Sequence, residues 1–156
     1  MILRLGIGED APKQDGYQNV DIRPLPNIDV VADASKLPHY NNSVAGIETR
    51  NLVEHFGRHE IDALFKEWAR VLKKGGSLFI ETVDMGETMT HWQDIPTENL
   101  LDGILGAQTY PENFHKMAFT RPLLEKKLKD AGFEIVQVWQ FLHRLIPRIQ
   151  VKAKKL

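Results

Sequence analysis

Two aspartates at the ends of successive apolar runs, Asp21 and Asp33, carry the most specific chemistry in the chain. Asp21 follows Tyr17-Gln18-Asn19-Val20, Asp33 follows the run 28–32, and both come after the glycine turn Leu5-Gly6-Ile7-Gly8. A carboxylate ending the second strand of a doubly wound sheet accepts hydrogen bonds from ribose hydroxyls. One ending the third strand is an acceptor suited to an exocyclic amine such as that of adenine. Glycines in the first turn let a ligand approach the backbone closely. Each aspartate alone reads first as a turn or cap residue. Their succession after a glycine turn, at the strand ends where ligands collect in open α/β sheets, points instead to a nucleoside-containing cofactor.

Spacing and charge sign then separate the cofactors. A dinucleotide fingerprint places a helix between glycine turn and acid, with the acid about 20 residues on. Only the short stretch through Pro12 and Gly16 joins Gly8 to Asp21, and the third glycine is absent. Glu9-Asp10 stands where a pyrophosphate wants donors and positive charge. An acidic turn suits a sulfonium and an ammonium group, which favours S-adenosyl-L-methionine over NAD.

The elements that must position these groups follow from periodicity. Short apolar runs at 2–5, 17–22, 28–32 and 44–47 suit strands of a sheet buried on both faces. Ile61, Leu64, Phe65, Trp68, Val71 and Leu72 fall on one side of a helix spanning 58–73, which the glycines of Lys73-Lys74-Gly75-Gly76 stop. A strand is expected over 77–83, a helix over 120–131 with Thr120 as cap and Pro122 in the first turn, and strands over 133–141 and 148–153. The stretch 84–118 is different: it mixes Gly, Pro, Asn and His with Trp92, Tyr110 and Phe114, and is weakly helical only near 98–105. It reads as an acceptor-side lid whose aromatics cover the substrate, or else as a disordered insertion.

Composition narrows the class. The chain has 156 residues, 42% hydrophobic and 26% charged, enough for one domain over 1–156 with its own core. A net charge of −1 gives no case for a nucleic-acid partner, and the lysines at 152, 154 and 155 read as a solvated end. There are no cysteines, so disulfides and thiolate chemistry are excluded. No run is long enough to span a membrane and no signal-peptide layout is present, so a cytoplasmic protein without membrane attachment is expected.

The ordered series LGIGE, GYQNVDI, VVADASKLP, ETRNLVEHF, WARVLKKGG, SLFIETV and AFTRPLLEKKLKDAGFEIVQV resembles the class I S-adenosylmethionine-dependent methyltransferases, and is most similar to their small bacterial type 11 group. The resemblance covers nearly the whole chain. It implies a Rossmann-like three-layer α/β sandwich with a mostly parallel seven-stranded sheet and an antiparallel C-terminal hairpin. It implies that Gly6 and Gly8 line the methionine part of the cofactor, that Asp21 holds the ribose, and that Asp33 and the Ala34 amide read adenine. Arg50 and Asn51 would flank the methionine end. The chain departs from the family by lacking the helix after the glycine motif and the one before it, so it is abbreviated at its N-terminus.

Methyl transfer requires alignment above all, and an alcohol, amine or acid acceptor also needs a base. The candidates are Glu54 and His55 in LVEHF and His115 in NFHKMAF, each of which reads otherwise as a packing, capping or loop residue. His91 beside Trp92 is a weaker candidate; His39, His59 and His143 read as surface or core residues. None of the histidines shows metal-ligand spacing, so no metal is expected. The expected partner is a small-molecule acceptor or glycan precursor, and a homodimer is an allowed state. The alternative is a non-catalytic methyltransferase-like binding protein needing a partner to complete it, with Trp68 in an interface rather than the core.

Overall fold

The computed structural model describes residues 1–8 and 12–156; the Glu9-Asp10 turn lies outside the described residues. Seven strands form one sheet: β1 Ile2–Leu5, β2 Tyr17–Asp21, β3 Val30–Val31, β4 Val44–Arg50, β5 Leu72–Val83, β6 Phe133–His143 and β7 Ile146–Lys155, in the order β3-β2-β1-β4-β5-β7-β6. The first five run parallel, and β7 pairs antiparallel with both β5 and β6. The helices are α1 Ile61–Val71, α2 Met85–Thr90, α3 Thr97–Leu105 and α4 Arg121–Asp130. This is the Rossmann-like class I order with the antiparallel final hairpin.

One face of the sheet carries the core. Leu3, Leu5, Ile47, Leu78, Ile80, Ile149 and Val151 share it by register, and the apolar sides of α1 (Ile61, Leu64, Phe65, Trp68, Val71) and α4 (Leu124, Leu128) close over it. The opposite face does not match the expectation of a sheet buried on both sides. Its alternating positions are polar and aromatic, and they pair with one another. Arg4 lies 3.9 Å from the centre of the Tyr17 ring, and the Tyr17 hydroxyl donates to Glu48 at 3.4 Å. Arg50 lies over Phe79 and pairs with Glu81, Gln150 donates to Glu81 at 2.7 Å, and Lys152 lies over Trp139. No helix among the described residues joins β1 to β2, β2 to β3 or β3 to β4, so this face has almost no helical layer, and its side chains are chosen for water. Only its C-terminal end is covered, where Ile95 and Leu100 pack on Val83 and Ile146.

Strand and helix bounds shift modestly from those expected. β5 starts at Leu72, so the Lys73-Lys74-Gly75-Gly76 stretch belongs to an irregular opening of that strand rather than to the end of α1. β3 is reduced to two residues. The long connection from β3 to β4 is held by side chains of α1 instead of by a helix. Arg70 donates to the Leu37 and His39 carbonyls at 3.0 and 2.8 Å and pairs with Glu67, which accepts from the Leu37 N–H. Trp68 is fully buried, and its indole N–H donates to the Ala34 carbonyl at 3.0 Å. That places Trp68 in the core, not in an interface. Trp68→Phe leaves the Ala34 carbonyl without its donor and opens a small void; a loss of about 2 kcal/mol in urea unfolding is expected.

The stretch 84–118 is an ordered excursion with closed ends. Asp84 bridges Phe119, and the Met85 N–H donates to the Phe119 carbonyl at 2.8 Å. Asp84 caps α2 by accepting from the Gly86 and Glu87 N–H groups, and its second oxygen accepts from Gln140 at 2.6 Å.

Candidate functional site

At the C-terminal ends of the parallel strands two cavities adjoin, sharing Gly6, Arg23, Asn51, His55 and Tyr110 in their walls. The smaller, about 180 Å³, is lined by Asp21, Asp33, Ala34, Leu52 and Phe56 among others. The larger, about 710 Å³, runs past Gly6 and Gly8 to Glu54, His115 and Arg148. Together they form one cleft with a nucleoside-sized end and a wider end.

Local backbone explains the smaller end. Gly6 and Gly8 both have positive φ, +64° and +67°, a region that side chains resist. A Cβ on Gly6 would stand 2.7 Å from Leu52 Cδ1. Gly6→Ala is therefore expected to cost about 1–3 kcal/mol of stability and to push Leu52 into the cavity, weakening cofactor binding; urea unfolding and ligand-induced thermal shift check the two effects.

Asp21 is 5% exposed at the end of β2. Its Oδ2 accepts from the Gly8 N–H at 3.3 Å, and its Oδ1 from the Arg23 N–H at 3.0 Å and the Arg23 Nε–H at 3.2 Å. The acid thus ties the glycine turn to β2 and keeps acceptor capacity on Oδ2, since a carboxylate offers about four lone-pair sites. Asp33 is organised similarly. Its Oδ1 accepts from the Ser35 N–H and hydroxyl, both at 2.7 Å, which leaves Oδ2 for a ligand. Ala34, beside it, is anchored through its carbonyl by Trp68.

Across the cleft, two segments far apart in sequence are stitched together. Glu54 and His55 lie in a 3-10 turn after β4. The Glu54 carbonyl accepts from the N–H groups of Lys116 and Met117 at 2.8 and 3.1 Å, and the His55 ring lies 3.1 Å through Nδ1 from the Phe114 carbonyl. The rings of His55 and His115 meet edge to face with centroids 4.9 Å apart. His115 Nδ1 lies 3.0 Å from the Gly103 carbonyl. A carbonyl only accepts, so Nδ1 carries the proton and Nε2 keeps its lone pair. Burial, with positive charge from His55, holds the His115 pKa down to about 4, so this ring is neutral at physiological pH.

Glu54 is almost wholly buried. Its Oε2 accepts from the Thr82 hydroxyl at 2.9 Å, while its Oε1 is buried without a hydrogen-bond partner among the described residues. Burial pushes its pKa upward, against opposing effects from its own backbone, His55, Thr82 and Arg148.

The candidate residues divide clearly. Gly6, Gly8, Asp21, Asp33, Ala34 and Asn51 line the cleft, as do Glu54, His55 and His115. Arg50 also lines the wider end, with its side chain engaged by Glu81 and Phe79 on the open sheet face. Of the lid aromatics, Tyr110 alone lines the cleft, with Arg23 stacked 4.2 Å from its ring centre. Trp92 and Phe114 stand exposed and His91 pairs with Glu87 in the solvent, which removes them from the substrate cover. Sequence reasoning missed Arg23 and Arg148. Arg23, two residues after Asp21, had a local signal; Arg148 reaches the cleft only through the β5–β7 pairing. No group of residues able to hold a metal ion occurs among the described residues, and no helix of the described residues is long and apolar enough to cross a membrane.

The sequence of residues 11–80 matches the family described as "Methyltransferase domain". Among solved structures, the chain resembles a SAM-dependent methyltransferase from Methanosarcina mazei, with TM-score 0.70, 20% identity, and 99% of this chain and 92% of that one covered. It similarly resembles a putative S-adenosylmethionine-dependent methyltransferase from Listeria monocytogenes, with TM-score 0.70, 15% identity and coverage of 99% and 90%. The [4+2]-cyclase SpnF shares the fold too, with TM-score 0.66, 15% identity and coverage of 99% and 73%. No curated protein sequence matches the chain. The matched segment is described as a methyltransferase domain, and the fold is one shared with S-adenosylmethionine-dependent methyltransferases. The cyclase shows that the fold alone does not assign the reaction.

Proposed function

We propose that the protein is an S-adenosylmethionine-dependent methyltransferase acting on a small molecule. The observation that carries this reading is the continuity of the cleft: a nucleoside-sized end with two acids leads past a glycine turn to a neutral histidine with a free ring nitrogen. Asp21 and Asp33 would hold the ribose and adenine, and the turn at Gly6 and Gly8, with Asn51, the methionine end. The fit rests on the retained acceptor capacity of both aspartates and on the space that Gly6 keeps open.

The bound cofactor supplies an electrophilic methyl group on a sulfonium. The chain's own part is to hold the acceptor in line and to manage its proton. His115 Nε2 accepts the proton from an acceptor hydroxyl or amine as that atom becomes nucleophilic. Its Nδ1–H, held on the Gly103 carbonyl, fixes ring orientation and tautomer. Glu54 is too enclosed to meet substrate. It is a positioning residue: its backbone carbonyl holds the 116–117 stretch and its carboxyl accepts from the Thr82 hydroxyl. His55 supports the same stretch through Phe114.

The test has two stages. S-adenosylhomocysteine is expected to raise the melting temperature and NAD to leave it unchanged; the reverse pattern would overturn the reading. Release of S-adenosylhomocysteine is then measured with a panel of hydroxyl, amine and carboxyl acceptors. Binding without release across that panel would favour a non-catalytic, partner-dependent role instead.

A further inference from the structure

Four arginines line the larger end of the cleft, and their partners differ. Arg23 pairs with Asp21 and Arg50 with Glu81. Arg4 is spent on Gln14, the Pro12 carbonyl and the Tyr17 ring. Arg148 differs from all three. It extends from β7 beside Val83, the last residue of β5, and its one hydrogen bond among the described residues runs from Nη1 to the Asn51 side chain. No carboxylate lies within ion-pair distance of it among those residues, and its Nε is buried with no partner. With Nη1 committed to Asn51 and Nε buried, Nη2 remains as the uncommitted donor of a guanidinium that lines the cavity, and a charged donor of this kind suits a carboxylate or phosphate.

An unpaired cation half-buried in a protein wall is costly unless something completes it. The surroundings say what. Arg148 sits near enough to Glu54 and His115 to act on both electrostatically, so its uncommitted donor belongs to the proton-accepting end of the cleft, not to the nucleoside end. Arg148 is absent from the wall of the Asp21–Asp33 cavity. The cavity beside it, about 710 Å³, leaves room for a small molecule next to His115.

We infer that the methyl acceptor is an anionic small molecule, carrying a carboxylate or phosphate that docks on the Arg148 guanidinium through its uncommitted Nη2 and so presents its nucleophile to His115. This deepens the methyltransferase reading and rests on it for the identity of the reaction. The binding site for the anion stands on Arg148 and the cleft alone. Arg148 is a specificity-determining residue here, and Asn51, which holds Nη1, positions it.

The probes are inorganic phosphate and benzoate, with benzamide as the uncharged counterpart of benzoate at equal ionic strength. Each is titrated against the full chain by thermal shift and by proton–nitrogen NMR, with and without saturating S-adenosylhomocysteine. Phosphate or benzoate is expected to bind saturably, with shifts at the Arg148 side chain, and benzamide is not. Whichever anion binds identifies the group the acceptor carries. Arg148→Gln is expected to weaken that anion roughly ten-fold or more, with Arg148→Lys recovering part of it and S-adenosylhomocysteine affinity unchanged in both. Anion binding unaffected by Arg148→Gln, equal binding of benzamide, or no saturable binding of either anion overturns the inference. So does loss of S-adenosylhomocysteine affinity in Arg148→Gln, because the guanidinium would then serve the cofactor's own carboxylate. Failure of S-adenosylhomocysteine to bind the wild-type protein counts against the methyltransferase reading alone, since the titrations without it still decide the anion site.

Discussion

Asp21→Ala is expected to remove most of the stabilisation that S-adenosylhomocysteine gives the wild-type protein. At a ligand concentration 100 times the dissociation constant that stabilisation amounts to about 2.7 kcal/mol, readable as a rise in melting temperature. Asp21 is buried at the mouth of the nucleoside cavity, and the described structure already asks it to hold the Gly8 N–H and both Arg23 donors. Alanine therefore loses the proposed ribose acceptor and the tie that shapes the glycine turn. Asp21→Asn separates the two losses. It keeps an oxygen that can accept from Gly8 while removing the charge that attracts Arg23 and accepts from two hydroxyls. The asparagine variant is expected to lose less stability in urea than the alanine variant without ligand, yet to bind S-adenosylhomocysteine at least ten-fold more weakly than wild type, because a charged acceptor contributes about 1.5–3 kcal/mol. NAD should shift none of the three proteins. Full retention of the thermal shift in Asp21→Ala would place the nucleoside elsewhere.

Much of this architecture was legible because it is written in local patterns. Seven strands and two principal helices follow from short apolar runs and from the 3.6-residue spacing of Ile61, Leu64, Phe65, Trp68 and Val71. The two acids were legible for the same reason: Asp21 ends β2 and Asp33 stands two residues past β3. The open face of the sheet was not. Ile2-Leu3-Arg4-Leu5 reads as nearly continuous apolar sequence, and only register shows that Arg4 shares its face with Glu48 while Leu3 and Leu5 meet the core. A parallel sheet normally has helices on both faces. Here the face that no β1–β4 connection covers with a helix among the described residues carries cross-strand ion pairs and cation–aromatic contacts that tolerate water.

The wider end of the cleft was half legible. Glu54, His55 and His115 could be named for their chemistry, but their meeting depends on the Glu54 carbonyl taking two N–H groups from residues 116 and 117. Nothing local encodes that contact. Arg148 was invisible for a similar reason, since its place follows from antiparallel pairing with Val83. Trp92 and Phe114 failed in the other direction. An aromatic in an irregular stretch looks like substrate cover, yet the closed excursion from Asp84 to Phe119 turns both outward and leaves only Tyr110 over the cleft.

His115→Gln is expected to lower kcat by about 10²–10⁴ in any acceptor reaction that needs proton removal, with S-adenosylhomocysteine affinity unchanged. Affinity should hold because His115 is absent from the wall of the nucleoside cavity. The same substitution has a signature in stability that needs no acceptor. In the folded protein burial and the charge of His55 hold the His115 pKa at about 4, against 6.5 when unperturbed. Between those values the unfolded chain binds the proton and the folded one does not, so stability falls as pH drops through this window and is flat above it. The shift corresponds to about 3 kcal/mol when fully developed. Glu54 works with the opposite sign. Burial raises its pKa above 4.5, so the folded state holds its proton longer and stability falls as pH rises from there. The wild-type protein should thus show only part of the histidine effect, and His115→Gln should unmask the glutamate slope. Urea unfolding from pH 4 to 8 is the measurement. A variant that keeps the wild-type loss of stability on acidification would mean that the neutral, buried state of His115 is not what sets it, and the assignment of His115 Nε2 as a base free at neutral pH would lose its footing.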